Sequence, residues 1–196
     1  MLRLHSFFMT PKPALSSDEI LKAEYDYIAS TVFQANEDRS RATSFYLLTF
    51  SSFIAAIVSY RLDNNLNGTW MDTGFSALFF ILAGMGVSTV LQLARLRMAW
   101  YESVQAMNQI KDYYIEHDAE LEKAFAWRGK TAQKFKWNSV GFLLVMQVAL
   151  LGGVALGTSI FFCVRAISGT SWLLPAALGG IAFIIWQIDL YRSSLK

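Results

Sequence analysis

Four apolar runs, each long enough to cross a bilayer, fall at 43–60, 74–94, 138–163 and 172–190. A span needs about 20 predominantly apolar residues, at about 1.5 Å of rise each. None of the four carries a charge in its central stretch. Hydrocarbon offers backbone amides no water to bond, so each run must be a helix. The expected class is an all-α integral membrane protein with four transmembrane helices. The competing reading is a soluble protein with four unusually apolar core helices. A hydrophobic content of 54% and a mean hydropathy of +0.34 argue against it. Residues 1–42 hold no apolar stretch longer than the short patch at 7–9, which argues against a cleaved signal peptide.

Charge orients the spans. Of the 17 Lys and Arg residues, five lie in 1–42, eight in 95–137 and two in the tail at 191–196. Arg61 and Arg165 are the remaining two, one in each of the other connections. The positive-inside rule then places both termini and the 95–137 segment in the cytoplasm, and the expected location is the cell (inner) membrane. An even number of spans puts both termini on one side, in agreement with this charge count. The expected organisation is a cytoplasmic segment 1–42, a transmembrane hairpin 43–94, a cytoplasmic helix and basic linker 95–137, a second hairpin 138–190 and a tail 191–196. The outer loops are too short for a folded ectodomain. Trp70, Tyr60 and Trp172 are placed to anchor the outer interface, and Trp137, Trp186 and Tyr191 the inner one. The triplet Asn67-Gly68-Thr69 matches a glycosylation acceptor, but so short a motif arises by chance and would mean nothing if the protein were bacterial.

The cytoplasmic part reads as helical. Ser16 and Glu19 have capping-box spacing, and Leu21, Tyr25, Ile28, Val32 and Ala35 form one apolar stripe. This predicts a helix from about 17 to 39 that either runs into the first span or bends in the polar stretch 36–44. The second span extends the same way. No Pro or Gly occurs from 93 to 127, and Leu93, Leu96, Trp100, Val104, Met107, Ile110, Tyr114, His117, Leu121 and Phe125 step by three or four. Arg97, Glu102, Gln105, Asn108, Asp112, Glu116 and Glu120 fall on the opposite, solvent-facing side. As one rod, 74–126 would reach about 75 Å, with Gly129 ending it. Its apolar stripe needs a partner: the 17–39 helix or a second subunit.

Familiar chemistry is absent. Two histidines and a single cysteine, Cys163, allow neither a metal site of usual spacing nor an internal disulfide. No P-loop, GxSxG or HExxH occurs, so no catalytic residue, cofactor or enzymatic activity is expected. Cys163 reads as a small packing residue. Asp189 and Gln187, near the inner end of the fourth run, read as interfacial, which leaves little for an ion-coupled transporter. Nucleic acid is not an expected partner; the lipid bilayer, further copies of the chain and a cytoplasmic protein are.

Three features stand out as candidate pore or interface residues. Gln147 is an amide well inside the third run, where it either bonds across a helix interface or lines a pore. Gly153 and Gly157 form a GxxxG, with Ala176 and Gly180 at the same spacing in the fourth run and Gly84 and Ser88 in the second. Small residues let helix backbones approach in lipid, within one bundle or between subunits. The cluster Asn36, Glu37, Asp38, Arg39, Ser40, Arg41 alternates charge directly below the first span. It fits a solvated helix end, a buried hinge network or a charged vestibule.

The order of a helix, a transmembrane hairpin and a long charged helix, opening with Arg95-Leu96-Arg97 and continuing through Trp100-Tyr101, resembles the SLATT-type (SMODS- and SLOG-associated) effector modules of bacterial antiphage conflict systems. The likeness covers about 17–126. It implies an oligomeric effector, triggered from the cytoplasm, that compromises the inner membrane. The second pair of spans departs from such a two-span module, and no site residue is carried over. Two functions follow: an oligomeric channel or pore-type effector gated from the cytoplasm, or a non-conducting scaffold that recruits a cytoplasmic partner. A small exporter or lipid-handling protein is a third. The topology itself is testable. In a Cys163→Ala background, cysteines at Asn65 or Ser168 should react with a membrane-impermeant thiol reagent on intact cells, and cysteines at Gln109 or Ser194 should not. Labelling at Gln109 would overturn the four-span arrangement.

Overall fold

The computed structural model describes residues 16–63, 68–123, 125 and 133–196. Four long helices account for nearly all of them: α1 (Ser17–Asp63), α2 (Thr69–His117), α3 (Val140–Ser168) and α4 (Leu173–Ser193), with a short 3-10 helix at Ala119–Lys123. No strand occurs among the described residues. Each of the four helices is long and apolar enough to cross a membrane, which makes this a multi-pass membrane protein by the length and composition of its helices.

The helix α1 is unbroken. Its first turn carries the expected capping box: Glu19 N–H donates to Ser16 Oγ at 3.3 Å, and Ser16 N–H donates to Glu19 Oε2 at 3.4 Å. The polar stretch 36–44 does not bend it, because its side chains are satisfied along the helix. Thr43 Oγ1 donates to the Arg39 carbonyl at 3.0 Å, Arg39 Nε donates to the Ala35 carbonyl at 3.3 Å, and Arg41 pairs with Glu37 at 3.3 Å. With no Pro or Gly between 14 and 63, nothing else interrupts the ladder. At 47 residues α1 is about 70 Å long, more than twice the thickness of a hydrocarbon core of about 30 Å, and its charge-bearing first half is termed the stalk.

The helix α2 runs antiparallel to α1 and is the central element, touching α1, α3 and α4. It ends at His117, short of the 126 expected from periodicity. Asp118 is extended, and its carboxylate accepts the Glu120 amide at 3.0 Å, an Asx-type turn that diverts the chain. Gly129, the expected terminator, lies outside the described residues, as does Asn67. The two stalk stripes do meet. Leu21 and Tyr25 of α1 face Ile110 and Tyr114 of α2 around a shared groove, and Ile28 and Ala35 are buried. Two expectations need correction. Arg97 and Asn108, assigned to the solvent face, are buried, because residues 133–134 and the start of α3 cover that side of α2. Trp100 and Met107, which the apolar stripe predicts to be largely buried, are half-buried, because they line a cavity.

The apolar core lies where α2 and α3 run side by side. Leu82, Val90, Val145 and Val148 are fully enclosed, with Tyr46 of α1 reaching in to donate its hydroxyl to the Leu82 carbonyl at 3.2 Å. α3 and α4 meet backbone to backbone. A Cβ built on Gly180 would lie 2.7 Å from the Gly153 carbonyl oxygen, and one on Gly157 would lie 2.9 Å from that of Ala176. The small-residue seam is thus within one chain, between its third and fourth spans. Cys163, expected to pack, is exposed. Gly153→Leu and Gly157→Leu should each force α3 and α4 apart and deplete folded protein in mild detergent. Gly84→Ala, at a glycine with open space around it, should leave thermal stability within a degree or so of the parent.

Candidate functional site

Polar side chains are scarce in this protein, so the places where they are buried or stranded are the places to look. Four of them stand out.

The first lies at the base of the spans, on the stalk side. Arg39 comes from α1, four residues before the first apolar run, and Arg97 from α2, three residues past the second. They are 6% and 8% exposed, and neither has a carboxylate partner among the described residues. Arg97 Nε donates to the Lys134 carbonyl at 3.0 Å and Nη2 to the Gln133 carbonyl at 2.7 Å, while its guanidinium lies 4.2 Å from the Trp100 ring centroid. Arg39 is held by the Ala35 carbonyl and by the Asn36 side-chain oxygen. Its Nη1 presses on α3, where a Cβ on Gly141 would lie 2.9 Å away. Burial lowers the pKa of both groups, and the charge of Arg97 lowers that of Arg39 further. Beside them opens a cavity of about 590 Å³, floored by Trp100, Val104 and Met107 of α2 and closed by Val32 of α1 and Val140 of α3.

The second place is the opposite end of the bundle. Asp72 of α2 and Arg165 of α3 form a two-point pair, with Arg165 Nε donating to Asp72 Oδ2 at 2.7 Å and Nη2 to Oδ1. Phe161 and Phe162 flank the guanidinium, and the hydrogen bond to Asp72 raises its pKa. Read from the sequence, Arg165 is only a stray basic residue in a loop. Its pairing becomes visible only when α2 and α3 are seen to be antiparallel.

Gln187 of α4 is the third. It was expected at the interface and is instead fully buried against Gly152 of α3. Its Nε2 donates to the Ala149 carbonyl at 3.4 Å, and its Oε1 has no hydrogen-bond partner among the described residues.

Gln147 is the fourth, and among the described residues it does not bond across any helix interface. It is exposed on the outward face of α3, with Val140, Leu143, Leu150 and Val154 along the same stripe. These five positions alternate by three and four residues, the spacing of a coiled-coil seam. The other candidates disperse. Gly153 and Gly157 belong to the α3–α4 seam, Glu37 is exposed and paired with Arg41, and Asp38 is half-buried in a separate groove with Arg41, Ser88, Thr89 and Gln92. Only Asn36 and Arg39 of the charged cluster join the cavity. Among the described residues no three His, Cys, Asp or Glu side chains are grouped to hold a metal ion.

No protein-family model, no curated protein and no solved structure matches the chain.

The buried amide carries a direct stability test. A buried acceptor left unpaired costs about 1–3 kcal/mol, so Gln187→Leu should hold or raise the melting temperature. Gly152→Ala should lower it, since its Cβ would meet Gln187 Nε2 at 2.7 Å. A marked fall for Gln187→Leu would mean that the amide is bonded after all.

Proposed function

We propose that the protein is a homo-oligomeric channel or pore-type effector of a bacterial inner membrane, opened from the cytoplasm through its stalk helices. Gln147 is the observation that carries this. It lies about 13 Å into the third apolar run, faces away from its own bundle and has no hydrogen-bond partner in its own chain among the described residues. An amide facing hydrocarbon is penalised by several kcal/mol unless it finds a partner. A second copy of the chain, or water in a pore lined by several copies, supplies one. The apolar heptad-like stripe on either side of Gln147 supports the association of α3 with its counterparts. The charge distribution supports a cytoplasmic stalk. The likeness to SLATT-type modules supports a role in antiphage defence.

A non-conducting scaffold is the second reading. It is favoured by Tyr27 and Phe33, which are 67% and 75% exposed on the stalk and would suit a cytoplasmic protein partner. One experiment separates the two. In reconstituted bilayers, Gln147→Leu should reduce conductance with assembly intact, because a drier constriction is harder to wet, and Gln147→Glu should raise cation preference. Absence of current from the parent and both variants, with normal recruitment of a cytoplasmic partner, would leave only the scaffold.

A further inference from the structure

The two ends of the bundle treat their cations in opposite ways. At one end the half-buried Arg165 has the buried Asp72. At the other, Arg39 and Arg97 share a cavity that no Asp or Glu lines. Two guanidiniums this deeply buried repel one another, and the carbonyls of Ala35, Gln133 and Lys134 only partly offset the loss of hydration. Each arginine also keeps Nη1 without a hydrogen bond among the described residues. With Nε and Nη2 of each already engaged, each guanidinium has its Nη1 to offer an oxyanion, and two such donors on two cations match a dianion better than a singly charged carboxylate.

The cavity also has a direction. Its two buried arginines lie beside the apolar runs, next to Gly141, whereas Val32, Val104 and Met107 lead away from them along the stalk, with Asn108 and Lys111 also lining that part of the wall. A phospholipid held by its headgroup would send its chains the other way, into the bilayer. A ligand that enters from the aqueous side fits both halves: its phosphate meets the arginines and its apolar body lies along the stalk. We propose that this cavity binds a soluble phosphomonoester with an apolar or aromatic body, its phosphate held between Arg39 and Arg97. Because Arg39 belongs to α1, Arg97 to α2, and the start of α3 forms the rim, such a ligand clamps three helices at once. The proposal stands whether or not the protein conducts.

The test uses the full chain in nanodiscs of phosphatidylcholine alone, with phenyl phosphate as the probe and thermal unfolding as the readout. Phenyl phosphate should raise the melting temperature saturably, with benzoate at least tenfold weaker. Arg39→Gln and Arg97→Gln should each weaken the apparent affinity tenfold or more. Met107→Trp keeps both cations and fills the apolar arm; it should abolish the shift, and it decides the matter if the arginine variants do not fold. In a second arm, nanodiscs containing phosphatidic acid are compared without probe. Stabilisation by phosphatidic acid together with no effect of phenyl phosphate would assign the arginines to a lipid headgroup and overturn the proposal. No saturable effect of phenyl phosphate on the parent protein, equal binding of benzoate, or indifference of binding to Met107→Trp would overturn it as well.

Discussion

Hydrocarbon neither bonds to peptide groups nor drives apolar helices together, and those two absences shape this protein. The first makes every span a helix, since only a helix satisfies its own backbone. The second means that helix association must come from close contact, because lipid tails are as apolar as the side chains they would replace. At the α3–α4 seam the contact is as close as backbones allow: Gly153, Gly157, Ala176 and Gly180 bring each helix against the carbonyls of the other. Between α2 and α3 the same role falls to larger side chains, Leu82, Val90, Val145 and Val148, which leave no exposed surface. α2 then acts as the spine against which the other three are placed.

Polar anchoring closes the two ends of this spine. Asp72 and Arg165 join α2 to α3 at one end, a paired charge whose burial is offset by its partner. At the other, Arg97 reaches the carbonyls of Gln133 and Lys134 and so ties α2 to the segment that leads into α3, while Arg39 brings α1 against Gly141. The second arrangement has positive charge in excess. That surplus, next to a cavity of about 590 Å³, is what distinguishes a place that only holds helices together from one equipped to receive an anion. In the proposed reading, an anion there would stiffen the joint between stalk and spans, the position from which a pore formed by neighbouring α3 helices could be opened.

Outward-facing residues divide in the same spirit. Leu143, Leu150 and Val154 need no explanation beyond lipid. Gln147 among them does, and it is the reason to read the outer face of α3 as a subunit seam. Gln187 presents the opposite case. Its amide is enclosed within the chain, where Gly152 makes room for it and no group meets its oxygen.

Apolar run length and charge placement alone determined the helical class, the number of candidate spans and, through the Ser16–Glu19 capping box and the absence of Pro and Gly, the start and continuity of α1. These are local properties: a helix answers to its own residues at steps of three and four, and hydropathy needs no neighbour. The stalk stripes were legible for the same reason. Tertiary structure decided everything that depends on which face meets which element. Periodicity assigned Arg97 and Asn108 to solvent because it assumed that one side of α2 is covered, whereas α2 is covered on two. The end of α2 at His117 was set by a side-chain turn at Asp118 that hydrophobic spacing cannot register. The pairing of Asp72 with Arg165, the burial of Gln187, the exposure of Gln147 and the meeting of Arg39 with Arg97 all join residues far apart in the chain or depend on one rotation of a helix. A rotation of about 100° per residue turns a polar side chain from core to lipid within one or two positions, and only the packed bundle chooses between them.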